Sequence, residues 1–134
     1  MKDIGNRYEI SSLTNDKVKL INSLHHRKYR REHNLFVAEG IRICREAIEN
    51  DWEIRYLLYD NLHADIQKIE NLISDVLCLG ADVIGVTSEI LSKISHKENP
   101  QNVLCVICQK WNDLPSIIKD KTFVALETVR DPGN

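Results

Sequence analysis

The 134-residue sequence contains no run of roughly 18 apolar residues, which excludes a membrane-spanning helix of ordinary length. Its first residues, Met1-Lys2-Asp3-Ile4-Gly5-Asn6-Arg7, lack the apolar stretch of a secretory signal, so a cytoplasmic location is the default expectation. There is no internal repeat and no low-complexity segment. No second cysteine pair accompanies Cys105-Val106-Ile107-Cys108, which removes a four-ligand zinc site. That tetrapeptide lies in the apolar run 103–108, where positions three apart point to opposite faces of a strand, so both are expected as buried structural cysteines. No serine, histidine and carboxylate set stands out as a nucleophilic triad, and no metal site is expected. Tyr29, Trp52, Tyr56 and Trp111 lack the pattern of a base-stacking platform and are expected in the core or linker.

What is present is ordinary in bulk and uneven in detail. An apolar content of 43% with 28% charged residues suits a soluble chain with one real core. The net charge of −2 hides an asymmetry. From Lys17 to Arg31 there are six basic residues and no acidic one, and His25 and His26 lie in the same run. Such a face on a near-neutral chain is the expected footprint of a phosphate-binding surface, and equally of a solvated helix face.

The periodicities give an alternating order. A polar leader (1–14) precedes a helix capped by Thr14 or Asn15 and running to about Glu32. Val18, Ile21 and Leu24 form its apolar stripe. Lys19, Ser23, His26, Arg27 and Arg30 then share one exposed face, with Lys28 and Arg31 nearer the stripe. A strand over 35–38, a helix over 41–50, a strand over 54–59 and a mostly helical 61–79 follow. Next come a strand over 83–86, a helix over 88–94 capped by Thr87, a polar loop over 95–102 and a strand over 103–108. The expected fold is an α/β layered domain over 15–111. A linker (112–121) leads to a buried strand over 123–129 and the turn Asp131-Pro132-Gly133-Asn134. A strand and turn are punctuation inside a domain, so residues 122–134 read as the start of a second domain and the chain as truncated.

One ordered set of residues adds a family. It comprises Ser12-Leu13-Thr14-Asn15, Val18-Lys19, Arg27-Lys28-x-Arg30, Phe36-Val37-Ala38-Glu39-Gly40-x-Arg42 and Glu46-Ala47. Thr87, Leu91-Ser92 and Asn99-Pro100-Gln101-x-Val103-Leu104 complete it. The set resembles the N-terminal substrate-binding domain of the SpoU (TrmH-type) RNA 2′-O-ribose methyltransferases, over about residues 10–110. The ending, Leu126 to Asn134, resembles the opening of that family's SPOUT domain. Two departures are Asn102 where the family loop has glycine, and Asp16 where it has proline; Asn102 tolerates a turn and Asp16 a helix start.

The resemblance implies a fold like that of small ribosomal and kink-turn RNA-binding proteins. It implies a role in gripping structured RNA, with ribosomal RNA the better expectation, for a trefoil-knotted domain that uses S-adenosylmethionine and pairs as a homodimer. Asn134 alone would represent the catalytic motif, and no cofactor is expected in this chain by itself. The RNA-binding residues it points to are Lys19, His26, Arg27, Lys28, Arg30 and Arg31 on the helix. Glu39, Gly40 and Arg42 lie at the strand-to-helix turn, and Asn99 and Gln101 in the loop. Arg42 sits against the helix dipole, which suggests RNA or Glu39 as its partner. The alternatives are a stand-alone RNA-binding or ribosome-associated module and an interaction domain for an acidic protein.

Overall fold

The computed structural model describes residues 3–113 and 122–127. Ten elements follow one another: β1 (Arg7–Ile10), α1 (Asp16–Ser23), α2 (Arg27–His33), β2 (Leu35–Glu39) and α3 (Ile41–Glu49), then β3 (Ile54–Asp60), α4 (Ile66–Cys78), β4 (Asp82–Val86), α5 (Ser88–Ser95) and β5 (Val103–Cys108). The strands form one five-stranded sheet in the order β1-β4-β3-β5-β2. β1, β4 and β3 run parallel, and β5 runs antiparallel to both β3 and β2. β1 to β4 therefore all end at one edge of the sheet, the carboxyl edge. β5 starts there and carries the chain out at the opposite edge.

Helices cover both faces, which is why the central strands read as continuous apolar runs. On one face α3 and α4 pack Cys44, Ala47, Ile69, Leu72, Ile73 and Val76 onto Leu57, Tyr59, Val83, Val103, Cys105 and Ile107. On the other, α1 and α5 pack Val18, Ile21, Ile90, Leu91 and Ile94 onto Leu58, Ile84, Leu104 and Val106. The strict alternation along β5 is the period of two expected of a strand. It also separates the two cysteines. Cys105 is buried and forms a disulfide with Cys44 of α3, with Cα atoms 6.0 Å apart. Cys108, on the other face, is a half-buried free thiol whose pKa burial raises. A bulge at Arg55 shifts the β3–β5 register between Ile54 and Tyr56. It puts Ile54 on the same face as Leu57 and Tyr59.

Four sequence expectations are corrected. The polar leader contains β1, an edge strand held by parallel pairing from Arg7 with Val83 to Ile10 with Val86. The long first helix is two helices, because Leu24 to His26 leave the helical path: His26 is extended at φ −87°, ψ 130°. The segment 61–79 is helical only from Ile66 to Cys78. At the end of the chain, residues 122–127 form no strand and are exposed, Val124 at 82% and Leu126 at 79%. An extended segment without a sheet edge to bond has nothing to hold it as a strand. The remainder of that expected strand, the turn and Asn134 lie outside the described residues, as does most of the linker.

Candidate nucleic-acid interface

α2 is a seven-residue helix, Arg-Lys-Tyr-Arg-Arg-Glu-His, and it buries none of its side chains. Its first turn holds no acidic residue, and its cap residue His26 makes no capping hydrogen bond. Two cations, Arg27 and Lys28, sit at the positive end of the helix dipole, where each is unfavourable. The helix therefore owes its place to its ends. At the start, Arg30 Nη1 reaches back to the carbonyl oxygens of Leu24 (2.9 Å) and His25 (2.6 Å), groups that the end of α1 leaves unsatisfied. His25 Nε2 meets the carbonyl of Ile94 in α5. At the far end, Asn34 takes the left-handed conformation (φ 55°), and its carbonyl accepts from Gln109 N–H at 2.8 Å.

The expected single basic face is thus rearranged. Arg30 is half-buried and committed to the backbone. Arg27, Lys28 and Arg31 are exposed, and none is ion-paired among the described residues. Lys28 and Arg31, expected near the apolar stripe, are free of it because α2 has its own register. Lys28 Nζ lies 5.5 Å from the ring of Tyr29. His26 is exposed beside Tyr29. Lys19 stays behind on α1, exposed and 3.9 Å from Asp16. Lys17 is withdrawn from any phosphate surface. It touches the Tyr8 hydroxyl, lies 3.4 Å from Asp82 and sits over the rings of Tyr8 and Tyr56. The hydrogen bond to Tyr8 raises its pKa.

The loop after α5 continues the surface from the start of α2. His96, left-handed at φ 55°, places its ring 3.5 Å from that of His25 and bonds Asn22 Oδ1 at 3.0 Å. Burial, then the charges of His25 and His26, push the His96 imidazole below the usual histidine range. Next along the loop, Lys97 Nζ pairs with Glu39 at 3.0 Å, and Gln101 N–H donates to Glu39 Oε1 at 2.6 Å. Glu39 therefore holds the loop rather than facing a ligand. Gly40 follows at φ 109°, ψ 147°, a conformation essentially closed to other residues, and its N–H donates to Val103 O at 2.8 Å. Arg42 pairs with Glu46 at 3.1 Å, one helical turn on, and not with Glu39. The Asn99 and Gln101 side chains are exposed. One strip thus runs from Asn34 along α2, across His25 and His96, to Lys97, Glu39 and Gln101 at the carboxyl edge.

Beside that edge lies a cluster that spacing could not reveal. Asp60, 3% exposed at the end of β3, accepts from the N–H groups of Leu62 and His63, both at 2.9 Å, and from the Ser88 hydroxyl at 2.5 Å. Burial alone would raise its pKa, but these hydrogen bonds, led by Ser88, outweigh burial and hold it below the ordinary carboxylate value. His63, expected on a helix surface, stands in the turn, with Nδ1 within 3.1 Å of Asp60 and 2.9 Å of Ser88. One ring nitrogen faces both partners, and the hydroxyl already donates to the carboxylate. In a serine–histidine–carboxylate relay the imidazole bridges its partners through different nitrogens; here both meet Nδ1, so the cluster ties the turn to the start of α5 and does not have the geometry of a triad. Among the described residues no group of side chains could hold a metal ion, and no helix is long and apolar enough to cross a membrane.

The chain is 27% identical over 126 residues to the Bacillus subtilis 23S rRNA (guanosine(2553)-2′-O)-methyltransferase RlmP, an alignment covering 94% of this chain and 46% of that protein. The AdoMet-bound rRNA methyltransferase of Sinorhizobium meliloti superposes with a TM-score of 0.75 at 31% identity, covering 83% of this chain and 40% of that one. The SpoU methyltransferase AviRb of Streptomyces viridochromogenes shares the fold, with a TM-score of 0.64 at 23% identity over 82% of this chain. The chain spans less than half the length of each. Residues 15–105 match the family described as the MRM3-like substrate binding domain, and the chain belongs to that family.

Proposed function

We propose that this chain is the RNA-gripping part of an RNA ribose 2′-O-methyltransferase, with ribosomal RNA as its target class. The observation that carries the reading is the set of exposed, unpaired cations on α2, a helix that buries nothing and tolerates cations at its positive end. Structured RNA is held largely through phosphates and ribose hydroxyls. Arg27 and Arg31 offer planar forks that suit bidentate phosphate contact, and Lys28 offers a point charge. His26 and Lys19 lie beside them. Arg30, Glu39 and Gly40 act as positioning residues, setting α2 and the loop that presents Asn99 and Gln101. The names of the relatives supply the reaction and RNA class.

The methyl donor of this reading is S-adenosylmethionine, which supplies the transferred methyl group. The residues described do not fit it. A groove of about 420 Å³ at the exit edge sets Asp51 and Glu53 against Arg55 and Lys110, with Asn34 and Gln109 beside them, and this mixed-charge polar lining offers no apolar slot for an adenine ring. No chemical step is therefore assigned to this chain. Donor binding, methyl transfer, pairing as a homodimer and a cytoplasmic location belong to the proposal for a longer protein.

The test is retention of fragmented 23S rRNA by the chain and by an Arg27→Glu, Arg31→Glu variant. The expected result is a loss of at least tenfold in affinity with the fold intact. Unchanged affinity in a folded variant would overturn the assignment of this helix.

A further inference from the structure

At the carboxyl edge a cavity of about 190 Å³ opens between α3, α4 and the start of β5. Its walls include the apolar side chains of Ile41, Ile69 and Val103 and the polar groups of His63, Gln101 and Asn102. It is smaller than the roughly 300–1,000 Å³ that holds a drug-sized molecule, so it suits one ring system. The apolar walls argue against a phosphate, whose charge would lose its hydration there. Two charged residues also line it, Lys68 and Asp65, and they pair with each other at 3.1 Å, which leaves the wall without a free cation for a phosphate.

The polar groups are those that read the edge of a heterocycle. The Gln101 side chain is exposed and able both to donate and to accept. Asn102 Nδ2 donates to the His63 carbonyl at 3.1 Å, which fixes that amide and leaves its oxygen as an acceptor. The His63 ring is anchored through Nδ1 to Asp60 and Ser88, which fixes its place beside the cavity that His63 helps to line. The cavity adjoins the end of the basic strip, since Gln101 belongs to both. Proteins that read RNA take unpaired bases onto such surfaces, by stacking and by hydrogen bonds to the base edge.

We propose that this cavity receives a single unpaired nucleobase of the RNA whose backbone lies along α2. The proposal rests on the RNA-binding reading above and adds a base contact to it.

The test uses the full chain with labelled backbone amides and labelled isoleucine methyl groups. It is titrated at low salt with single-stranded 8-mer RNAs of A, C, G or U, with an 8-mer lacking bases, and with fragmented 23S rRNA. A base in the cavity should shift the Ile41 and Ile69 methyl signals upfield with at least one homopolymer and leave them unmoved by the abasic strand. An Ala64→Leu change, which fills the cavity wall, should weaken that homopolymer about tenfold, the scale of one lost stacking contact. If the His26 and Arg27 signals move while both methyls stay still, the cavity assignment is wrong and the RNA surface stands. If the abasic strand moves the methyls equally, the cavity answers to charge and the base contact is likewise overturned. If neither region responds to any of these RNAs, the RNA-binding reading falls and the cavity with it.

Discussion

The guanidinium of Arg30 closes the end of α1 by donating to Leu24 O at 2.9 Å, six residues back along the chain. A residue that sequence spacing places on the RNA face thus belongs to the framework. Arg30→Ala leaves the Leu24 and His25 carbonyls without their charged donor and should cost about 1–2 kcal/mol, since Arg30 is only half-buried. Reversal of Arg27 and Arg31 touches no partner and should stay within about 0.5 kcal/mol. Urea unfolding of the two variants checks the contrast.

Binding carried by phosphates releases counterions. The logarithm of the RNA affinity should fall linearly with the logarithm of salt concentration. Each of Arg27, Lys28 and Arg31 replaced by alanine should flatten that slope by roughly one unit or a little less. Arg42→Ala should leave the slope nearly unchanged if Arg42 stays with Glu46. A salt-independent affinity would be incompatible with the basic strip as the contact surface.

Gly40 offers a test of backbone against space. A Cβ there would meet only Gln101 Cγ at 3.9 Å, so crowding is absent, yet φ is +109°. Gly40→Ala should cost about 1–3 kcal/mol from backbone strain alone. A stability equal to the parent chain would show that the turn adopts another conformation.

The sign of the pH response at His96 is fixed by its neighbours. Its imidazole is held below the ordinary value of about 6.5 by burial and by the charges of His25 and His26. The folded chain then binds fewer protons than the unfolded chain just below that pH. Stability should decline as pH falls through 6.5 and level off below the folded value. His96→Gln should flatten the decline between pH 7 and 5 in thermal unfolding.

Asp60 responds in the acid range. Its folded value is depressed, so its contribution is present above the ordinary carboxylate value and is lost as pH falls through the lower folded one. Ser88→Ala removes the hydrogen bond that most favours the carboxylate. Acid unfolding of that variant should begin from a lower plateau and show a shallower pH dependence.

The strand and helix order from Leu35 to Cys108 was legible because two periods, 2 and 3.6, dominate it and its apolar stripes found faces of the sheet. β1 was hidden by its exposure. Only Ile10 of Arg7 to Ile10 is buried, although Tyr8 and Ile10 do alternate with charged neighbours. The break at Leu24 to His26 carries no proline or glycine. It is made by Arg30 and by the contact of His25 with Ile94, 69 residues away. The same limit hides Asp60, His63 and Ser88, which meet only because β3 and β4 are neighbours that end at one edge. Charge density pointed to the helix on which Arg27, Lys28 and Arg31 stand exposed. It could not tell the cation that builds the surface, Arg30, from those that are displayed on it.

α2 is fastened at both ends and buried along none of its length, tied through His25 to Ile94 and through Asn34 to Gln109. It is therefore an exchangeable cassette. Arg27, Lys28 and Arg31 could be traded for other polar residues without disturbing a single core contact, provided Arg30 and the two fastenings remain. A lineage could retune how firmly, and to which backbone contour, this domain holds its polymer while the sheet beneath it stays the same.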